Sequence, residues 1–157
     1  MADLHPDIAP LASLLGTWAG DGSGEYPTIE SFDYLEEVTF GTVANKPFLV
    51  YSQRTKATDD GRPMHAETGY LRAPQPGRAE LVLAHPTGIT EIAEGTYTVD
   101  GATIVLDLEA ATIGRSSTAK SVTALKREFR FTADELTYTL WMGAVGQHLQ
   151  HHLAATL

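Results

Sequence analysis

The chain has 157 residues, of which 43% are hydrophobic and 20% charged, and this predicts one globular domain over residues 1–157. The absence of cysteine excludes disulfide scaffolds, thiolate nucleophiles and cysteine-ligated metals, so the six histidines are the main candidate metal ligands. The formal net charge of -9, with no local basic patch, argues against nucleic acid or an anionic membrane as a partner. The first ten residues have neither a basic nor an apolar leader segment, and no apolar stretch approaches the roughly 18 residues of a membrane span. We therefore predict a cytoplasmic protein.

A short helix is predicted over Pro6–Leu15, near the start of the chain. Apolar residues there recur on one helical face, and proline suits a first turn. After Gly16 the apolar pattern changes to strict alternation, which predicts a strand over Glu30–Gly41.

Further apolar runs separated by turn-forming residues predict the other strands. These runs are Phe48–Tyr51, Leu81–Ala84, Ile89–Tyr97, Ile104–Leu108, Val122–Phe131, Leu136–Met142 and Leu149–Leu157. Two more strands are expected within Gly16–Tyr26 and Met64–Leu71, and the longest loop is predicted at Ala111–Thr118. Short connections indicate antiparallel neighbours, and about ten strands in an open sheet would leave edges prone to aggregation. The sequence therefore predicts an all-β fold, an antiparallel meander barrel of about ten strands with room for a ligand.

The segment Gly16–Gly22 is the most specific local motif. Trp18 provides a large ring for one end of a barrel, and the surrounding glycines let the backbone bend. A Gly-x-Trp motif in the first strand resembles the lipocalin and fatty-acid-binding-protein architecture. We interpret Trp18 as core packing and not as a ligand contact. A phosphate-binding loop is disfavoured, because such a loop precedes a helix and this one precedes a strand.

Three histidines within five residues make the C-terminal segment the best candidate for ligand binding. On a regular strand His148 and His152 would share one face, and His151 would lie on the opposite face with the leucines. Burial of the leucine face would leave His152 outside, but a closed barrel can bury either face. Alternation alone therefore leaves the choice open between a metal site and a surface histidine cluster without a function.

Other polar residues in the predicted strands give weaker signals. His65 could point into the cavity beside Met64 or hydrogen-bond a neighbouring strand, whereas His85, which precedes a proline, is interpreted as marking a turn. Glu36 and Glu37 are adjacent, so they face opposite ways on a strand, which argues against an acid–base pair there. No serine-centred nucleophile motif is present.

Five segments, in this order and spacing, resemble the nitrobindin family of small haem-containing barrels. The resemblance extends over nearly the whole chain. The segments are Gly16–Gly22, which matches the family pattern GxWxGxG, Tyr26–Ile29, Phe32–Glu37, Pro63–Tyr70 and His152–Leu153.

The resemblance implies that the barrel binds one haem b per chain near one open end, with His152 as the proximal iron ligand. It places Thr28 in contact with the haem, Met64 and His65 in the distal lining, and Lys120 beside a haem propionate. It assigns no catalytic group beyond the haem iron.

The activity that the resemblance implies is the isomerisation of peroxynitrite to nitrate by ferric haem, and nitric oxide would bind at the same open iron position. A homodimer is also implied. This sequence departs from the family pattern in its extra histidines, His148 and His151, which could compete with His152 for iron. Two other functions are compatible with the sequence. One is a non-enzymatic carrier of a fatty acid or other apolar ligand, and the other is a nitric oxide sensor that acts through a partner protein.

Overall fold

A computed structural model describes residues 3–157, which form one 3-10 helix and ten strands. The helix, η1, spans Ala9–Leu14. The strands are β1 (Gly16–Tyr26), β2 (Ile29–Thr42), β3 (Phe48–Ala57), β4 (Pro63–Gln75), β5 (Arg78–His85), β6 (Ile89–Asp100), β7 (Thr103–Arg115), β8 (Val122–Phe131), β9 (Leu136–Ala144) and β10 (Gln150–Thr156). No helix within residues 3–157 is long and apolar enough to cross a membrane.

The ten strands form a closed antiparallel barrel. Each strand pairs with its neighbour in the chain, and β1 also pairs with β10, which closes the sheet. Closure gives every strand two partners, so no strand is left as an open edge that could pair with another molecule. The predicted all-β meander barrel is confirmed.

The N-terminal helix differs from the prediction in type and length. The sequence predicted a helix over Pro6–Leu15, whereas η1 has six residues in 3-10 conformation. Ile8, Leu11 and Leu14 are fully buried. Their spacing of three residues matches the three residues per turn of a 3-10 helix, which explains how one short segment buries all three side chains.

The loop predicted at Ala111–Thr118 is wrong over its first five residues, because β7 continues to Arg115. The register between β6 and β7 shifts between Ile92 and Ala93, which leaves Ala111 as an extra residue in β7. Such a bulge interrupts the alternation of inward and outward side chains. The alternating pattern in the sequence therefore ends before the strand does.

The helix η1 lies at the end of the barrel where β1 begins. There the Trp18 indole N–H donates to the Leu14 carbonyl oxygen (2.9 Å), and the ring packs edge-on against Phe131 (5.4 Å between centroids). Leu136 and Leu157 exchange backbone hydrogen bonds of 2.8 and 2.7 Å at the same end. This end, the closed end below, is packed with apolar side chains, as the interpretation of Trp18 predicted.

Two glycines in β1 permit close approach of neighbouring groups. A Cβ at Gly20 would lie 2.2 Å from the Thr156 carbonyl oxygen of β10, and a Cβ at Gly22 would lie 2.4 Å from the Tyr34 ring. Neither distance is tolerable for a side-chain carbon. The glycines therefore allow β10 to close the barrel against β1 and allow Tyr34 to lie across the lumen.

Candidate functional site

The opposite end of the barrel, the cavity end below, holds a cavity of about 500 Å³. Its walls come from the strand ends and turns that join β1 to β2, β3 to β4, β5 to β6, β7 to β8 and β9 to β10. Much of the lining is apolar and includes Ile29, Phe32, Ile89, Val122, Leu125, Leu140 and Met142. All five residues that the resemblance placed around a haem line this cavity, namely Thr28, Met64, His65, Lys120 and His152.

A bulge in β10 places His152 in the cavity wall. The register between β10 and β9 shifts between His151 and Leu153, so His152 is an extra residue in the strand. At a bulge the alternation of faces is interrupted, and both His152 and Leu153 line the cavity. The bulge explains how His152 and its neighbour Leu153 can both face the cavity. His151 instead lies 2.8 Å from the Glu25 carboxylate and is 38% exposed.

Neighbouring groups hold the His152 ring in one orientation. His152 Nδ1 lies 2.9 Å from the Glu25 carbonyl oxygen, an acceptor only, so Nδ1 carries the proton and donates it. The Tyr26 ring packs edge-on against the imidazole (5.3 Å), and its hydroxyl accepts from the Ala144 N–H (2.8 Å) and donates to the Met142 carbonyl oxygen (3.1 Å). Burial lowers the pKa of His152, which favours the neutral imidazole. His152 Nε2 therefore carries a lone pair suited to a metal.

The other predicted residues lie around the cavity mouth and wall. Thr28 is in the turn between β1 and β2, and Lys120 is in the connection between β7 and β8, and both are exposed. Met64 and His65 lie at the start of β4, where Met64 is exposed and His65 is half-buried. The resemblance therefore selected residues from four separate segments that the fold brings to one cavity.

The wall also contains a buried network of charged groups that the sequence analysis missed. The Arg127 guanidinium donates to Glu67 Oε2 (2.8 Å) and to both carboxylate oxygens of Glu91 (2.8 and 2.9 Å). His85 Nε2 lies 3.1 Å from Glu91 Oε1, and His85 Nδ1 lies 3.1 Å from His65 Nε2. The network therefore runs from the half-buried His65 at the cavity to carboxylates that are almost wholly buried.

The charges of this network stabilise one another. Burial alone would raise the pKa of Glu67, but the Arg127 guanidinium and the hydrogen bond with His65 hold that pKa well below its usual value. The pKa of Glu91 is also lowered, because Arg127 and the hydrogen bond with His85 outweigh the effect of burial. The same two carboxylates raise the pKa of Arg127. Both carboxylates and the guanidinium are therefore ionised at neutral pH.

His85 does end its strand, as predicted, but its side chain is 7% exposed and belongs to this network. Alternation along β5 could have shown this, because His85 shares its face with the buried Leu81 and Leu83. Arg127 gives the same signal, since it lies between two buried residues of the inward face, Leu125 and Phe129. A charged residue within an inward-facing apolar row is the sequence signature of a polar group in the lumen.

A second buried carboxylate lies in a different environment. Glu36 accepts hydrogen bonds from the Tyr138 hydroxyl (2.5 Å) and from the Gln53 amide (3.0 Å), and burial raises its pKa to about 7 in spite of them. The adjacent Glu37 is on the outer face and pairs with Arg54 (2.8 Å). The two carboxylates face opposite ways, as the alternation predicted.

The donor set in the cavity fits a haem. A neutral imidazole with a free Nε2 is a common haem ligand, and its hydrogen bond to a backbone carbonyl is the usual partner of a metal-binding histidine. The apolar lining suits the porphyrin faces, and the Lys120 ammonium at the mouth suits a carboxylate. Of the two rival histidines, His148 does not line the cavity and His151 pairs with Glu25.

Comparisons with known proteins agree with this geometry. The model of the "THAP4-like, heme-binding beta-barrel domain" matches residues 7–157. "Peroxynitrite isomerase 2" of Mycobacterium marinum is 65% identical over 156 residues, which cover 99% of this chain and 96% of that protein. "Peroxynitrite isomerase" of Nocardia farcinica is 63% identical over 154 residues, with 98% and 91% covered. The crystal structure of Rv2717c from M. tuberculosis has a TM-score of 0.95 at 57% identity and covers 98% of this chain and 97% of that one. The chain therefore belongs to the THAP4-like family of haem-binding β-barrel domains, the nitrobindin family that its motifs resemble.

Proposed function

We propose that this chain binds one haem b in the cavity through His152 Nε2, isomerises peroxynitrite to nitrate when the haem is ferric, and binds nitric oxide. The observation that carries this proposal is the environment of His152, which lines the cavity with Nδ1 bound to the Glu25 carbonyl oxygen. The names of the relatives, which cover nearly the whole chain, support the activity.

Ferric haem, when bound, supplies a Lewis-acidic iron with one position available to a small anion or diatomic molecule. The chain supplies the ligand and the surroundings. The Glu25 carbonyl fixes the tautomer of His152 and makes its imidazole a stronger donor. Tyr26 keeps the ring from rotating. Apolar lining residues such as Leu140 and Val122 would keep water away from the porphyrin faces.

The cavity mouth and the wall have separate roles. Lys120 would pair with a haem propionate and Thr28 would contact the haem edge, and both residues lie at the mouth of the cavity. Met64 and His65, which line the cavity, would form the distal lining. No side chain of the protein needs to act as a nucleophile.

Titration with hemin tests the ligand assignment. The wild-type chain should give a Soret band with a stoichiometry of one haem per chain. We expect His152→Ala to abolish or strongly shift this band, whereas His148→Ala and His151→Ala, the matched controls, should leave it unchanged. If all three variants keep the wild-type spectrum, His152 is not the iron ligand. If the wild-type chain gives no band and takes up a fluorescent fatty acid instead, it is a carrier.

Stopped-flow measurement of peroxynitrite decay, with nitrate quantified as the product, tests the activity. The ferric protein should accelerate decay and increase the yield of nitrate relative to free hemin. A rate no faster than that of free hemin would rule out the isomerase function while leaving haem binding intact.

The cytoplasmic location, the homodimer and the single domain over residues 1–157 stay predictions. Sedimentation velocity of the haem-loaded protein tests the homodimer, which predicts a species of twice the mass of the 16.9 kDa chain.

A further inference from the structure

We propose that His65, Glu67 and His85 form a second metal site in the cavity wall, for a divalent first-row transition cation such as Zn²⁺. None of these three residues is the proposed iron ligand, which is His152. It goes beyond the proposed function and does not depend on it.

The spacing of the three side chains suits a single metal ion. Their candidate ligand atoms all lie within 4.8 Å of one another. His65 Nε2 is 3.1 Å from His85 Nδ1 and 3.4 Å from Glu67 Oε1. In a tetrahedral zinc site with metal–ligand distances of about 2.1 Å, two ligand atoms lie about 3.4 Å apart. The two measured distances are close to this value, so the side chains need to move little to bind a metal.

The groups behind the ligands hold them in the orientation that a metal requires. The Glu91 carboxylate accepts from His85 Nε2–H (3.1 Å), which leaves the Nδ1 lone pair of His85 facing His65. The Tyr51 hydroxyl and the Arg127 guanidinium both donate to Glu67 Oε2, which leaves Oε1 as the ligand atom. Partners of this kind are found around metal-binding histidines and carboxylates.

The charge and the composition of the site favour a divalent transition cation. Glu67, Glu91 and Arg127 together carry a net charge of about -1 when the histidines are neutral, and a cation would offset it. Without a metal, one proton lies between His65 Nε2 and His85 Nδ1. Metal binding does not require the release of this proton, because His65 can carry it on Nδ1 instead. Two imidazoles and one carboxylate suit zinc or iron better than magnesium, which prefers oxygen ligands. Three protein ligands leave one position open to the cavity.

Isothermal titration of the haem-free full chain with Zn²⁺ tests this site, with Mg²⁺ as a control cation. We expect saturable binding of one Zn²⁺ per chain and none of Mg²⁺. His65→Gln and His85→Gln should each weaken Zn²⁺ binding at least about tenfold, since each removes one of three ligands. His151→Gln, which alters a histidine–carboxylate pair outside this site, and His152→Ala should leave the affinity unchanged.

A second readout keeps the test independent of variant stability. Co²⁺ bound to the wild-type chain should give the visible absorption bands of a four- or five-coordinate site, and an excess of Zn²⁺ should remove them. Circular dichroism should show that His65→Gln, whose side chain is half-buried, keeps the barrel fold. The proposal is overturned if the wild-type chain does not bind Zn²⁺ saturably. It is equally overturned if binding is lost in His151→Gln or His152→Ala but kept in folded His65→Gln.

Discussion

The closed end and the cavity end of the barrel are built from the same ten strands, but their inward-facing positions differ in chemistry. At the closed end they are apolar, as in Phe40, Phe131 and Leu136. Towards the cavity end they include every buried polar or charged residue in the described part of the chain: Glu36, Gln53, Glu67, Glu91 and Arg127. Alternation determines which side chains face inward, and the identity of those side chains indicates which end can bind a ligand.

The two ends should also differ in how their stability depends on conditions. Apolar packing at the closed end contributes free energy that depends little on pH. Charged groups at the cavity end stabilise the fold only while each has its partner, because an unpaired charge in the interior is costly. The following substitutions test this difference, from the largest expected effect to the smallest.

Replacement of Arg127 should have the largest effect. Arg127→Met would leave the carboxylates of Glu67 and Glu91 buried without their cation, and loss of one partner from a buried ion pair costs about 3–5 kcal/mol. Urea unfolding at pH 7 measures the change. Arg54→Met, which removes an exposed ion pair with Glu37, is the matched control and should cost about 1 kcal/mol or less.

Urea unfolding at acidic pH sharpens this prediction. The pKa values of Glu67 and Glu91 are lowered in the folded wild-type protein, so their contribution to stability is present above the carboxylate pKa of the unfolded chain, about 4.3. That contribution is lost as the pH falls through the lower pKa values of the folded state. Arg127→Met removes the largest cause of the lowering, while His65 and His85 remain, so its stability should fall less than that of the wild type over this range. If the stability of Arg127→Met falls with acid as much as that of the wild type, Arg127 does not stabilise these carboxylates.

Truncation at the closed end should also be costly, but without a pH dependence. Leu11 is fully buried in the apolar core, and Leu11→Ala should lower the free energy of unfolding by about 2–5 kcal/mol. The loss should be the same at pH 5 and pH 8, and the Soret band of the hemin-loaded variant should match that of the wild type. A changed Soret band would mean that the two ends of the barrel are structurally coupled.

Removal of the buried Glu36 carboxylate should stabilise the protein at alkaline pH. The pKa of Glu36 is raised from 4.5 to about 7 in the folded state, so its stabilising protonated form is fully present below the unfolded pKa and is lost as the pH rises through 7. The wild-type protein should therefore lose about 3 kcal/mol between pH 4 and pH 8 from this group. Glu36→Gln should lack this loss, which urea unfolding across that range would show. A free energy of unfolding of the wild type that stays constant between pH 4 and pH 8 would contradict the raised pKa of Glu36.

The sequence predicted the strands well because each buries one face, which makes the apolar residues alternate. It failed where an extra residue enters a strand, as at Ala111 and His152, because a bulge depends on the register with a partner strand and leaves no local signature. The placement of His152 therefore came from the resemblance and not from alternation. The network around Arg127 was missed because it joins four strands, and Arg127 on β8 is distant in the chain from its partners on β4, β5 and β6.

The smallest effect should come from the residue next to Glu36, which tests the assignment of faces along β2. Glu37 is on the outer face, and its ion pair with Arg54 is exposed, so Glu37→Gln should change the free energy of unfolding by less than about 1 kcal/mol. Its pH profile should run parallel to that of the wild type, because Glu36 carries the pH dependence and is retained. Urea unfolding at pH 5 and pH 8, run beside Glu36→Gln, provides the comparison. Since the two residues are neighbours on opposite faces of β2, a larger effect from Glu37→Gln would mean that the inward and outward faces of β2 are assigned the wrong way round.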